Sequence, residues 1–350
     1  MKTKAFDIAF GILPIATVLI FMTLILLVAG APPLQAYAHI LGGAFENANK
    51  WADVATAWVP LMLCSAGLLV TFTAGQWNIG VEGQIVLGAV FATWVARNVP
   101  WGGEAPYAPL LALLLLAGMA GGALWGLLAG MLKSYGRVHE IFGGMGLNFV
   151  AAGLTNYLIF DPWKPPDGAT MSGTDPFRMA ATLPRLGSLR VTPVSVILAG
   201  LAIAAVLVVL RGTLWGLKLK AIGKNTRAAF MMGVPADRNV LLAFAVCGAL
   251  AGLAGAVQAS GVYRRLIPQI SGGYGNLALL VVLLSGFRGG WVPLVAFFFA
   301  AIGVGSPRLE LRMGLDSSLG GVLEGVIVLF FLLSHGVRQR FERLRGVGHG

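Results

Sequence analysis

Charge is scarce in this chain. Only 11% of its 350 residues are Asp, Glu, Lys or Arg, against about a quarter in soluble domains. Acidic groups are the scarcest, 14 against 25 basic ones, and they form no paired-carboxylate metal motif and no cluster with His or Cys. That weighs against a membrane enzyme, so no catalytic residue, metal or cofactor is expected. The two cysteines, Cys64 and Cys247, lie in apolar stretches and imply neither a disulfide framework nor a metal site. An ATP site is missing too. Around Gly223-Lys224 the pattern G-x-x-x-x-G-K-[ST] would need glycine at Lys218 and Ser or Thr at Asn225. The short alternating segments of an outer-membrane barrel are also absent.

What is abundant is apolar. With 57% hydrophobic residues in repeated uncharged runs of membrane-crossing length, the chain reads as an all-α, polytopic transmembrane bundle in a lipid bilayer. A net charge of +11 would suggest nucleic acid for a soluble protein. Here basic loops on one side of the membrane account for it, and no nucleic-acid partner is expected. The spacing predicts about ten spans within a single domain. Ile8–Gly30 is expected to be a retained first span, and Val54–Thr73 the second. Fifteen of the 25 Lys and Arg fall in alternate segments, including Lys2, Lys4, Lys133, Arg137, Arg288 and the tail Arg338–Arg345. This places both termini in the cytoplasm. Residues 161–191 form a polar, proline-rich external loop, and residues 211–238 a basic cytoplasmic one.

The organising stretch is Ala74–Ala89, AGQWNIGVEGQIVLGA, where Gly75, Gly80 and Gly83 surround Asn78, Glu82 and Gln84. Glycine frees the backbone, and the amides and carboxylate supply hydrogen-bonding groups. Such a cluster is costly in a bilayer unless it lines a cavity or is buried in protein; the competing reading is a polar turn between two helices. The apolar run after it is too short for a full crossing, so the third span is expected to be broken at membrane depth. A second glycine break, Gly272, Gly273 and Gly275, follows the seventh span. Paired breaks at equivalent places suggest two inverted halves of five spans with a substrate path between them. Other intramembrane polar groups are Asn148 and the lone carboxylate Glu324. Glu140 fits equally a helix cap and a functional acid. Glycines four apart at Gly122, Gly126 and Gly130, and again at Gly248 and Gly252, read as helix-packing faces.

In the basic loop, Asn225 is placed to cap a short helix Thr226–Met232 that stops at Gly233, with Pro235 beyond. That helix would expose Ala228, Ala229, Phe230 and Met231, an apolar patch of the kind that fits a partner's groove.

These residues resemble the permeases of ABC-type importers for nucleosides and simple sugars. The resemblance runs through NIGVEGQ at Asn78–Gln84, VHEIFGGMGLNFVA at Val138–Ala151, and the external DPW…LPRLGSLR. It continues through LKAIGKNTRAAFMMGV at Leu219–Val234, GALAGLAGA at Gly248–Ala256 and SGGYG at Ser271–Gly275. Related sugar permeases usually carry an acidic, serine-containing first motif, so this chain falls on the nucleoside side. Phe142-Gly143-Gly144 and Glu324 depart from the usual pattern. The resemblance implies a bacterial inner-membrane permease subunit paired with a second, homologous permease. A separate cytoplasmic ATPase and an extracytoplasmic substrate-binding protein complete the implied assembly. It likens residues 218–234 to a coupling helix in the ATPase groove, with Lys218, Gly223, Asn225, Arg227, Ala228, Ala229, Phe230 and Gly233 at the contact. Asn78, Glu82, Gln84 and Asn148 are expected near the substrate pathway. The alternatives are a simple-sugar or vitamin permease of the same kind, and an ion-coupled secondary transporter using Glu82 and Glu324.

Overall fold

The computed structural model describes residues 20–28, 30–99, 105–166 and 173–314, with scattered positions between 321 and 333. It is helical, and no strand occurs among the described residues. After a helical segment Ile20–Val28, the helices are α1 (Pro33–Phe45), α2 (Ala48–Thr73), α3 (Val81–Asn98), α4 (Ala108–Ser134), α5 (Glu140–Phe160), α6 (Pro193–Gly212), α7 (Leu214–Lys224), α8 (Thr226–Met231), α9 (Ala236–Val257), α10 (Tyr274–Leu284), α11 (Val292–Gly305) and α12 (Pro307–Met313). A π-helical turn, Gln258–Val262, extends α9.

Five of the described helices are long and apolar enough to cross a membrane, or six if the bent pair Ile20–Val28 and Pro33–Phe45 is one span. The all-α membrane fold is as expected; a count of ten is not reached. Helices α3 and α5 are 18 and 21 residues long, but Glu82, Gln84, Arg97, Asn148 and Asn156 lower their hydropathy. Helix α10 is short, at 11 residues. Most of the expected first and tenth spans, Glu324, Lys2, Lys4 and the tail arginines lie outside the described residues.

The chain divides into two compact units, Met1–Val54 with Phe297–Gly350, and Ala55–Ala296. In the first, Phe45 packs against Trp51 and Phe297. Arg308 pairs with Glu46, and its hydrogen bond and charge hold the Glu46 carboxyl below the usual carboxylate range. A close backbone approach joins Gly43 to Gly305.

The core of the second unit is the trio α3, α4 and α9. Lipid tails are as apolar as leucine, so helices associate in a membrane by close packing rather than by hydrophobic exclusion. The glycine faces of α4 and α9 meet as their spacing predicts. A Cβ on Gly252 would overlap the Gly118 carbonyl oxygen and lie 2.9 Å from Gly122, and one on Gly122 would overlap the Gly248 carbonyl oxygen. At one end of this unit the segment 173–185 is strapped down by backbone hydrogen bonds. The N–H of Thr174 donates to Leu266 O at 2.9 Å, that of Phe177 to Arg264 O at 2.7 Å, and that of Leu183 to Ser260 O at 3.1 Å. Arg185 donates to the carbonyls of Gly261 and Val262. Burial there, followed by the charges of Arg264 and Arg190, pushes the Arg185 pKa down.

Candidate functional site

Helix α2 ends at Thr73, and Gly75, with φ +71°, turns the chain back. The chain from Ala74 to Gly80 is not helical, and α3 begins only at Val81. Asn78 lies beside Cys247, its amide nitrogen 3.1 Å from the sulfur. Cys247 is near the middle of the membrane-length segment Ala236–Val262. The unwound stretch therefore reaches the mid-level of α9, which favours a broken span over a surface turn.

The second break mirrors the first. Gly272 (φ +55°) and Gly273 (φ +78°) sit in left-handed conformations that favour glycine, and α10 starts at Tyr274. A Cβ on Gly275 would lie 2.8 Å from Val81 and 2.9 Å from the Glu82 nitrogen. The first turns of α3 and α10 thus meet. From that point they diverge: α3 runs alongside α9, with Gly88 against Gly252, and α10 runs alongside α2, with Ser65 Oγ donating to Ala278 O. Gly67 of α2 abuts Cys247 while its end at Thr73 abuts Gly223, so α2 is antiparallel to α9. The two short helices therefore point their N-termini at each other. Each N-terminus carries roughly half a positive charge from its aligned peptide dipoles.

Both helices have a glycine at the N-cap, Gly80 and Gly273, and glycine offers no side chain to the free N–H groups of the first turn. The caps come from elsewhere. Asn148 of α5 accepts from Gly83 N–H at 2.8 Å and donates to Ile79 O at 3.0 Å. Glu82 of α3 accepts at Oε1 from Asn276 N–H at 3.0 Å. Its other oxygen, Oε2, is buried with no partner among the described residues, as is the Trp125 indole nitrogen. That indole stands next to Gly83, and a Cβ there would meet it at 2.8 Å. Buried polar atoms left unpaired in a folded protein call for a reason, and a ligand group is one.

The four residues expected near the pathway divide into two kinds. Glu82 and Asn148 are partly accessible. Asn78 and Gln84 are buried, at 1% and 0% exposure, and they satisfy each other: Asn78 Nδ2 donates to Gln84 Oε1 at 3.0 Å and Gln84 Nε2 to Asn78 Oδ1 at 3.1 Å. In this conformation they hold the unwound chain against α3 and offer no group to a solute. Of the six glycines expected at the breaks, Gly75, Gly80, Gly272 and Gly273 stand in them. Gly83 and Gly275 instead lie inside the first turns of α3 and α10, where their small size admits Trp125 and Asn148 in one case and Val81 and Glu82 in the other. Asn276 and Trp125 were not singled out from sequence. Asn276 is exposed beside Glu82, and the Ser271–Asn276 glycine run was the available signal.

Replacing Asn148 by alanine leaves Gly83 N–H and Ile79 C=O without their partner. The expected loss is about 1–3 kcal/mol of stability, read as a lower thermal midpoint in detergent. Asn148→Asp keeps the acceptor and loses the donor, so it should fall between the two.

In the basic loop, α8 is capped as expected: Asn225 Oδ1 accepts from Ala228 N–H at 3.0 Å, and Gly233, φ +79°, follows the helix end. Its last residue is Met231 rather than Met232. Phe230 (70%), Met231 (74%) and Met232 (73%) are exposed, as are Lys218, Gly223, Asn225, Arg227 and Ala228. Ala229 corrects the expectation, being 1% exposed and packed with Ile222, Val240 and Phe244. The loop also holds a further helix, α7, whose buried Gly216, Leu219 and Ile222 anchor one face. Gly223 at its end meets the break directly, for a Cβ there would overlap Thr73 O and lie 3.1 Å from Gly75 N.

Residues 50–332 match the family described as "Branched-chain amino acid transport system / permease component". The chain belongs to this permease family. The match spans the broken helices, α5 and the α7–α8 segment together. Among curated relatives, the permease is 32% identical to the glucose ABC transporter permease protein TsgB13 of Haloferax volcanii, over 95% of this chain and 88% of that one. It is 27% identical to the guanosine ABC transporter permease protein NupP of Bacillus subtilis, over 93% of each. It is also 24% identical to the nucleoside ABC transporter permease protein NupB of Lactococcus lactis, over 99% of this chain and 96% of that one. The permease is thus a multi-pass membrane subunit of an ABC transporter, a transport component and not itself an enzyme.

Proposed function

We propose that the permease carries nucleosides inward past the meeting point of α3 and α10, driven by an ATPase seated on α8. The observation that supports this most directly is the pair of opposed helix N-termini at mid-span, with Glu82 between them and its Oε2 unpaired among the described residues. A nucleoside brings ribose hydroxyls that donate to a carboxylate and a base edge that suits amides, so Glu82, Asn276 and Asn148 are the contacts to test. Asn78 and Gln84 act as positioning residues that hold the break. Paired breaks flanking oppositely directed helices favour two inverted halves. In this reading the α7–α8 end is cytoplasmic, and a second, homologous permease completes the path. An external binding protein delivers the substrate at the outer end of α3, where Arg97, Trp163, Asp175 and Arg178 line a cleft of about 430 Å³.

A sugar is the second reading, favoured by the 32% identity to a glucose permease. Both are separated by reconstituting the permease in liposomes with its ATPase, partner permease and binding protein. Guanosine, adenosine or uridine on the binding protein should stimulate ATP hydrolysis. Stimulation by glucose or ribose and by no nucleoside would reverse the substrate assignment, and uptake that needs an ion gradient and no ATPase would overturn the whole reading. Glu82→Gln keeps the shape and removes the charge. It is expected to lower nucleoside uptake at least 10-fold, the cost of about 1.5–3 kcal/mol typical of a hydrogen bond to a charged group.

A further inference from the structure

At the end of the second unit where α7 lies, a cleft of about 480 Å³ opens between the ends of α2 and α6, α7, and the turn that joins α10 to α11. Three cations converge on it from three elements: Arg211 lies in the last turn of α6, Lys220 projects from α7, and Arg288 sits on the turn. No carboxylate lines it, and among the described residues none of the three makes an ion pair. The turn is tightly built. Gly286 (φ +59°) and Phe287 (φ +60°) are left-handed, Phe287 packs edge-on to Phe72, and a Cβ on Gly289 would lie 3.0 Å from Leu69. Arg288 is therefore presented by a constrained loop. Leu69, Leu207 and Leu210 line the cleft's apolar part, and Trp291, 55% exposed, forms its rim.

Three exposed like charges facing one cleft with no counter-ion favour an anion there, and their level indicates which. They stand where α2 and α6, both membrane-length apolar helices, come to an end, and an exposed tryptophan marks the same level. That is the headgroup layer of a bilayer, where tryptophan collects and basic pockets between spans hold phosphate headgroups. Leucines below cations match the order of a phospholipid, with acyl chain beneath phosphate. A free phosphate would use the cations alone and leave the apolar part of the cleft without purpose.

We propose that this cleft binds the headgroup phosphate of an anionic phospholipid through Arg211, Lys220 and Arg288. The lipid then ties α7 to the α10–α11 turn. The site borrows from the functional reading only the assignment of this end to the cytoplasmic leaflet. Lipid binding by the purified chain requires no ATPase, so either idea can fail while the other stands.

The test is a titration of the purified full-length permease in detergent, followed by native mass spectrometry. The additions are phosphatidylglycerol, phosphatidylcholine and inorganic phosphate. Phosphatidylglycerol should be retained in preference to phosphatidylcholine. Its affinity should fall about 5-fold for each cation removed and on the order of 25-fold in Lys220→Gln/Arg288→Gln. Lys164→Gln, an exposed charge elsewhere, should change nothing, and Lys220→Arg/Arg288→Lys should retain binding. Circular dichroism of each variant confirms that it is folded. Equal phosphatidylglycerol binding by wild type and the double glutamine variant would overturn the site. Displacement of the lipid by millimolar inorganic phosphate, with no preference between the two lipids, would overturn the lipid as its occupant.

Discussion

Gly252→Val is expected to abolish the folded permease. A single added carbon at Gly252 already overlaps the Gly118 carbonyl oxygen and comes within 2.9 Å of Gly122 Cα and N. These are backbone atoms of α4, which cannot rotate away as a side-chain end could. A Cβ on Gly88 of α3 would in turn overlap the Gly252 backbone, so α3 also packs closely here. Overpacking in ordinary cores costs about 1–3 kcal/mol because neighbours shift. Here the neighbours are two helix backbones, so the cost should reach or exceed the top of that range, a large part of the ~5–15 kcal/mol that holds a typical domain folded. The check is the yield of monodisperse protein on size exclusion and its thermal midpoint, with Gly200→Ala as control. Gly200 lies in α6 with nothing within 4 Å of an added Cβ, so alanine there should be neutral or slightly stabilising through helix propensity. Equal yields for the two variants would refute the packing account.

Phe230→Glu/Met231→Glu is expected to have the opposite signature, an intact protein that does not transport. Both side chains are more than two-thirds exposed and contribute little to the fold, so the thermal midpoint should stay close to that of wild type. If α8 seats in an ATPase groove, two carboxylates on its apolar face must be desolvated there without partners. The penalty is several kcal/mol, enough for a loss of at least 100-fold in uptake and for loss of the ATPase on co-purification. Asn225→Ala should be milder, because a lost N-cap costs about 1 kcal/mol. Full uptake by the double glutamate variant would show that α8 is not where the work enters.

These two regions differ in how openly the sequence displayed them. Helix α8 was legible because its signals are local: Asn225, three residues before Ala228, and Gly233 at the end. Helix α7 was hidden by Lys218, Lys220 and Lys224, which look like a solvated charge run. The apolar positions Gly216, Leu219 and Ile222 do recur every third residue and were the available clue. The glycine cluster marks where the helix unwinds, but not what its polar side chains contact. Asn78 and Gln84 looked like pathway groups because polar side chains in an apolar stretch invite that reading. Their mutual pairing depends on the turn between them, which spacing does not reveal. Least legible were the borrowed caps. Asn148 is 65 residues from Gly83, and Glu82 is 194 residues from Asn276, and no sequence period connects such pairs.

The abutment of Gly223 on Thr73 and Gly75 has a mechanical consequence. Side chains that touch can yield by rotating about their bonds, but two main chains in contact have no such slack. A displacement of the lysine-bearing helix towards the break therefore presses directly on the unwound stretch. That stretch leads, through Asn78 and Ile79, to the first turn of α3, which carries Glu82. A force applied at the rim of the protein would thus arrive at its centre as a change in where one carboxylate points.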